Sequence, residues 1–277
     1  MILVTGATGN IGRELLAQLR AHGDLSVRGL TRDARRASFP EGVDVAEGDL
    51  RDAASMKSAL NGVRSLVLLA GRGADLTVLD AARRAGVEHV VLVSSITVTS
   101  HPHLPEARAN LEMERLLVTS GMDRTVLRPT QFASNTLWWA ESVRERGVVR
   151  VPYADVGLPA IHPADIAGAA RVALTDPAHR GRTHLLTGPE RISPRRQVLD
   201  LATVLGRDLE CVEISREEAH GQLAAALGDG SANSVLDLMG GDVNEELLAV
   251  RDTVALVTGQ PARTFRQWAT ENAAAFR

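Results

Sequence analysis

Short apolar runs and helical patterns take turns along the first half of the chain. "ILVT" (2–5) reads as a strand. From about Asn10 to His22 the residues Ile11, Leu15, Leu16 and Leu19 recur at helical spacing and define one apolar face. "LSVRGLT" (25–31), "VDVAEGDL" (43–50), "SLVLLAG" (65–71), "HVVLVSS" (89–95) and "RTVLRP" (124–129) are further strands, and "LTVLDAARRAG" (76–86) and "PEARANLEMERLL" (105–117) are helices. The runs at 65–71 and 89–95 are apolar at successive positions, the pattern of strands covered on both faces. Strands and helices at this spacing predict an α/β fold built on a doubly wound parallel sheet.

The second half is less regular. A helix is expected over 137–147, stopped by Gly147, and another over 162–177, opening near Pro163 and ending before Pro177. A strand at 182–188 precedes a helix at 193–206 with Ser193 as N-cap and Pro194 at its first position. A strand at 209–215 and three helical stretches finish the chain. These patterns suggest a main domain over residues 1–130. Residues 131–277 would form a smaller α/β lobe on the carboxyl edge of the sheet, without a core of its own.

Composition narrows the function classes. The chain has 277 residues, of which 44% are hydrophobic, enough for a full core. A net charge of −3 with interspersed signs argues against a nucleic-acid or anionic-membrane partner. No apolar run approaches the ~20 residues needed to span a bilayer, and the first strand begins at Met1 with no basic leader before it. A cytoplasmic protein is the expectation. Cys211 is the one cysteine, so neither an internal disulfide nor a multi-cysteine metal site can form. Its apolar setting, "LECVEI", suits a strand thiol rather than a nucleophile.

The stretch "VTGATGNIGRELL" sets Gly6, Gly9 and Gly12 between the first strand and first helix. Glycines there allow a tight turn, close backbone approach to a pyrophosphate and close helix–strand packing. The helix N-terminus then presents free N–H groups and a positive dipole to the phosphates. The alternative, an ordinary glycine-rich turn, is set against the strand–loop–helix context required of a dinucleotide fingerprint. After the second strand comes "GLTRDARR". An acidic residue at the strand tip would hold the ribose hydroxyls of NAD, whereas Arg suits a 2′-phosphate. Arg32 is the tip residue, so NADP(H) is the expected cofactor, against the plainer reading of solvated surface arginines. Two more loops leave the same edge: "GDLRD" would bring Asp49 and Leu50 to the adenine, and "LLAGRG" would bring Ala70 and Gly71 to the pyrophosphate and ribose.

With these residues in view, the chain resembles the atypical short-chain dehydrogenases of the NmrA-like, NAD(P)H-binding branch. The resemblance is carried by "VTGATGNIG" (4–12), "LTRD" (30–33), "GDL" (48–50), "VLVSS" (91–95), "SGMDRTVLRPTQFASN" (120–135), "AIHPADIAGAA" (160–170) and "LTGPERIS" (186–193), which span almost the whole chain. It implies a Rossmann-type sheet and, from the branch's known members, either a reductase of quinones, dyes or related acceptors or a catalytically silent redox sensor. It also implies residue roles. Gly6, Thr8, Gly9, Asn10, Ile11 and Gly12 would wrap the pyrophosphate. Arg32 would take the 2′-phosphate. Ser94 and Ser95 would end the strand under the nicotinamide, with Ser95 at the position of a catalytic Ser or Thr. Pro129, Thr130, Gln131 and Phe132 would line the nicotinamide and the substrate mouth.

The departure lies in the helix at 105–117. The best-known short-chain reductases carry Tyr-x-x-x-Lys there; this chain has Glu106 and Asn110. The pair cannot exist elsewhere, because the sole Lys57 has Ala53 four residues before it and the sole Tyr153 has Gly157 four residues after it. Ketone reduction through a tyrosine acid is therefore not expected, while quinones, dyes and enones need less acid assistance. His101 and His103, in "TSHPHLPE", are candidate proton donors next to Ser95, with a plain surface loop as the alternative. No third ligand accompanies this His-x-His pair, so no metal site is expected. Glu112 could face a pocket, although a charge on an amphipathic helix is usually solvated. His162 suits backbone positioning. Phe132, Trp138, Trp139 and Tyr153 form an aromatic span suited to a planar, apolar small-molecule substrate, or to ordinary packing. Three functions stay open: a reductase of activated acceptors, a dinucleotide-sensing regulator, and a redox-neutral isomerase or cyclase. A homodimer is compatible with each.

Overall fold

The structure, a computed structural model, describes residues 1–70 and 76–277. In chain order its first elements are β1 (Ile2–Val4), α1 (Asn10–Ala21), β2 (Val27–Thr31), β3 (Asp44–Glu47), α2 (Ala53–Ala59), β4 (Ser65–Leu69), α3 (Leu76–Arg84), β5 (His89–Val93), α4 (Thr97–Ser100), α5 (Pro105–Thr119) and β6 (Asp123–Pro129). A 3₁₀ segment, Ala133–Trp139, leads into α6 (Ala140–Arg146), β7 (Val148–Val151), β8 (Leu158–Pro159), α7 (Pro163–Thr175), β9 (Thr183–Leu186) and β10 (Arg191–Ile192). Then come α8 (Pro194–Leu205), β11 (Glu210–Glu213), α9 (Arg216–Leu227), α10 (Asp229–Leu236), α11 (Glu245–Leu248), α12 (Thr253–Thr258) and α13 (Phe265–Glu271).

Seven strands form one sheet in the order β3-β2-β1-β4-β5-β6-β9, and every pairing in it is parallel. The expected doubly wound parallel sheet is therefore present. Its interior strands alternate between faces. Leu66 and Leu68 of β4 and Val90 and Leu92 of β5 join Leu3 and Leu30 in a buried cluster, together with Met56 of α2, Leu60 just past its end, Val78 and Leu79 of α3, and Met113 and Leu117 of α5. Helices α1 and α7 pack together, and Gln18 Nε2 donates to the Ala164 carbonyl at 2.9 Å. Because the strands run parallel and in register, the loops after β1 to β6 all leave at the carboxyl edge of the sheet.

The chain divides into two compact units. The first comprises Met1–Pro129, Pro163–Leu186 and Thr253–Gln260; the second comprises Thr130–His162, Thr187–Asp252 and Pro261–Arg277. A single cut after residue 130 was expected; the sheet unit instead takes in two later segments as well. Strand β9 extends the sheet beyond β6, and α12 packs on α7 and β9. The second unit also corrects the expectation of a lobe without its own core. Val143, Val149, Val151, Ile192, Leu201, Phe265, Trp268 and Phe276 are buried together in it. Trp268 stacks obliquely on Phe265 and meets Phe276 edge-on, with ring centroids 5.6 and 6.2 Å apart. The helix expected over 137–147 is a 3₁₀ segment for its first part and α-helix after it, stopped at Gly147 in the left-handed region.

Candidate functional site

The loop after β1 is shaped by its backbone. Gly9 N–H donates to the Gly6 carbonyl at 2.9 Å, and Gly6 adopts φ +59°. A Cβ at Gly12 would lie 2.2 Å from the Gly6 oxygen and 2.7 Å from the Ala7 Cα, so only glycine allows α1 to approach the loop this closely. No side chain caps the start of α1, and its first turn has no acidic residue. Gly6, Thr8, Gly9 and Asn10 are exposed there, while Ile11 and Gly12 are buried. An uncapped twelve-residue helix opening on an exposed glycine loop fits an anionic pyrophosphate.

Neighbouring strands hold the other loops beside it. Thr5 donates its N–H to Val67 O and accepts from the Leu69 N–H through its buried hydroxyl. Ala70 N donates to Val93 O, Ser94 N to Leu127 O and Ile96 N to Pro129 O, which fastens the ends of β4, β5 and β6 in a row. Ala70 is half-buried and Pro129 buried. Gly71 lies outside the described residues.

At the tip of β2, Arg32 is exposed. Asp33 turns away from it, because its carboxylate accepts from the Arg35 N–H at 3.0 Å within its own turn. Across the sheet, Gly48 N donates to Thr31 O at 2.9 Å, which brings Asp49 and half-buried Leu50 beside this tip. Asp49 is forked by Arg51, with Nε–Oδ1 3.1 Å and Nη2–Oδ2 2.8 Å. Those bonds, the Arg51 N–H and the more distant Arg32 charge hold its carboxyl at about 2.

The end of β5 carries a network that the sequence reading missed. Ser94 Oγ donates to Glu114 Oε1 at 2.6 Å, and Arg128 grips the same carboxylate with Nε–Oε1 3.0 Å and Nη2–Oε2 2.6 Å. Glu114 is 7% exposed, on the buried stripe of α5 with Ala107, Met113 and Leu117. Glu112 is the solvated residue, within 4.0 Å of Arg115. Glu106 is exposed and Asn110 half-buried. Ser95 is half-buried, and its Oγ accepts from the Thr97 N–H at 3.2 Å and the Thr97 hydroxyl at 2.9 Å, which starts α4.

The two histidines part company. His101 is 0% exposed, with Nδ1 2.9 Å from Ser100 Oγ. Its ring presents no free surface, so in this arrangement it cannot be the donor that touches a substrate. His103 is exposed, its carbonyl accepting from Arg108. Among the described residues no three His, Cys, Asp or Glu side chains come together as a metal site.

The remaining candidates belong to the second unit. Thr130 is buried and donates through its hydroxyl to Pro159 O at 2.7 Å; half-buried Phe132 bridges to Ile161. Trp139 packs on the apolar core, whereas Trp138 is 65% exposed. Ser134, unremarked in the sequence, has a buried hydroxyl without a partner. His162 is buried, with Nε2 3.1 Å from Glu271 Oε2. Tyr153 is the one non-glycine described residue at positive φ, +53°. Its phenol oxygen accepts from Arg216 Nη1 at 3.0 Å, and Gly240 and Gly241 leave no room for a Cβ against its ring and hydroxyl. The aromatic span is thus one packed indole, one exposed indole and one ring under a glycine turn.

Comparison with known proteins gives the family. Residues 6–177 match the family model described as NAD(P)H-binding. A (4-alkanoyl-5-oxo-2,5-dihydrofuran-3-yl)methyl phosphate reductase of Streptomyces griseus is 38% identical over 100% of this chain and 99% of its own. An NAD(P)H azoreductase of Xenophilus azovorans is 34% identical over the same shares of each chain. Among solved structures, the NADPH complex of the Escherichia coli NADPH-dependent quinone oxidoreductase superposes with a TM-score of 0.82 at 26% identity, covering 98% of this chain and 99% of that one. No helix among the described residues is long and apolar enough to cross a membrane. From the uncapped glycine loop to its full-length relatives, the chain belongs to the NAD(P)H-binding family of atypical short-chain reductases.

Proposed function

We propose that this chain is an NADPH-dependent reductase of activated acceptors such as quinones or conjugated enones, whose hydride-accepting atom is already electron-poor. One observation carries the reading. The positions of a Tyr-x-x-x-Lys pair on α5 hold exposed Glu106 and half-buried Asn110, and the buried carboxylate further along the helix is committed to Ser94 and Arg128. No phenol–ammonium acid stands there to protonate a simple ketone oxygen. An acceptor that holds the incoming electron pair as a stabilised enolate or phenolate needs only water or a hydroxyl. The relatives' named substrates share this trait: an azo compound, a quinone and an alkanoyl dihydrofuranone are all conjugated.

The residues divide the work. Gly6, Thr8, Gly9, Asn10, Ile11 and Gly12 hold the pyrophosphate at the start of α1. Arg32 binds the 2′-phosphate, and Asp49 and Leu50 flank the adenine. Ala70, Gly71, Ser94 and Pro129 serve the ribose and nicotinamide half. Bound NADPH supplies a hydride from its nicotinamide ring. Ser95, or water beside it, hands over the accompanying proton. On the second unit, Phe132 and Trp138 offer aromatic surface to a planar acceptor, while Trp139 is packed on the core and Tyr153 is engaged by Arg216.

The test is NADPH oxidation, followed by nicotinamide absorbance, with a benzoquinone, an azo dye, a 4-alkanoyl-dihydrofuranone and a saturated ketone. Turnover is expected with at least one of the first three and not with the ketone. Tight NADPH binding without turnover of any acceptor would replace the reductase by a sensor. Equal turnover of the ketone would sink the argument from the missing acid.

A further inference from the structure

Arg51 belongs to none of the nucleotide-binding positions named under the proposed function, yet it lies in the loop that borders the strand end carrying Arg32. The loop after β3 is fixed on both sides: Gly48 N donates to Thr31 O at 2.9 Å, and Asp49 N donates to Ser55 Oγ at 3.0 Å. Asp49 therefore sits beside the strand end that carries Arg32, and Arg51 closes on Asp49 through both arms of its fork. Arg32 has no carboxylate within ion-pair distance among the described residues, while its charge acts on Asp49. Arg51 alone grips the carboxylate, Arg32 stands exposed at the neighbouring strand tip, and the Arg51 side chain remains 69% exposed. A phosphate monoester carries more charge than a carboxylate and suits the same planar fork, so it competes well for both arginines.

We propose that Arg51 is a second ligand for the 2′-phosphate of the dinucleotide, engaged by Asp49 until the phosphate displaces that carboxylate, and that the Asp49–Arg51 pair sets the preference for NADPH over NADH. The inference rests on the NADPH reading above.

Binding calorimetry with adenosine 2′,5′-bisphosphate and 5′-AMP tests it, because the probes differ only at the 2′ position and contacts to adenine and the 5′-phosphate cancel in their Kd ratio. Arg51→Gln is expected to shrink that ratio by about tenfold, the size of one charge-assisted contact. Asp49→Asn, which frees Arg51, is expected to widen it. Both positions are solvent-accessible, and thermal melts of the variants confirm folding. If Arg51→Gln leaves the ratio unchanged while Arg32→Gln collapses it, Arg51 is only a surface partner of Asp49 and the inference fails while the NADPH reading stands. An unchanged or narrowed ratio in Asp49→Asn overturns the claim that Asp49 competes with the phosphate for Arg51. A wild-type ratio near one overturns both the inference and the NADPH reading.

Discussion

Gly12 is the residue on which the phosphate loop closes. The atoms a Cβ would strike are the Gly6 oxygen and the Ala7 Cα, both backbone, so no side-chain rotation relieves the clash. Gly12→Ala should therefore push α1 off the loop. The expected loss is about 1–3 kcal/mol of unfolding free energy, typical of overpacking, together with loss of dinucleotide binding. Urea unfolding and a binding titration check this, and unchanged values in both would refute the packing argument. This part of the site was legible because close backbone approach demands one residue type at fixed spacing. The position of Arg32 just past the end of β2 was legible too, since it follows from counting along the strand. Arg51 was not, because its geometry arises from a loop in which Asp49 accepts from the backbone and side chain of a residue two positions on.

At the scale of elements, α5 shows what hydropathy conceals. Its span was legible from periodicity, and so was the absence of the Tyr-x-x-x-Lys pair. Which glutamate faces inward was not: Glu112 and Glu114 look alike in sequence, and only Arg128 on β6 explains why a carboxylate belongs on the buried stripe. Glu114→Ala leaves the Arg128 guanidinium, 16% exposed, without its partner. Destabilisation of about 3–5 kcal/mol is expected, as when one member of a buried pair is removed, and a lowered urea midpoint at unchanged slope would show it. A shift below ~1 kcal/mol would mean that water reaches Arg128 and that the pair is no more than a surface one. The 3₁₀ segment before α6 escaped the sequence reading because α and 3₁₀ turns share their local residue preferences.

Across the whole molecule, the amino edge of the sheet carries a second polar chain. His89, at the start of β5, is 2% exposed, with Nε2 3.0 Å from Thr125 Oγ1. The Thr125 hydroxyl donates to His179 O, so His89 donates through Nε2–H, and His179 Nδ1 lies 3.0 Å from His184 Nε2. Burial first, then the Arg180 charge, lowers His89 to about 4, against a weaker opposing pull from Asp123. Burial lowers His184 as well. Between the ordinary histidine value and about 4, the unfolded chain takes up a proton that the folded His89 refuses. Stability therefore falls as pH drops through that window, by up to about 3 kcal/mol from His89, and this residue contributes nothing to pH dependence above it. Unfolding curves at pH 7, 6 and 5 should show the decline, and His89→Gln should flatten it. An identical slope in the variant would assign the acid sensitivity elsewhere. The alternation of strands and helices announced the parallel sheet at this scale. The return of residues 163–186 and 253–260 did not show in the sequence, because β9 and α12 are placed by the free edge of β6 and the surface of α7 rather than by any local pattern.

That interleaving bears on how such a protein can change over generations. Each unit is made of three separate stretches, so the chain passes from one to the other five times. A crossover that exchanged residues 1–129 alone would import a sheet without its outer strand and an α1 without the helix it packs on. Recombination of contiguous gene segments is thus a poor route to a new variant of either unit. Point substitution, which leaves all six stretches in place, keeps each unit whole.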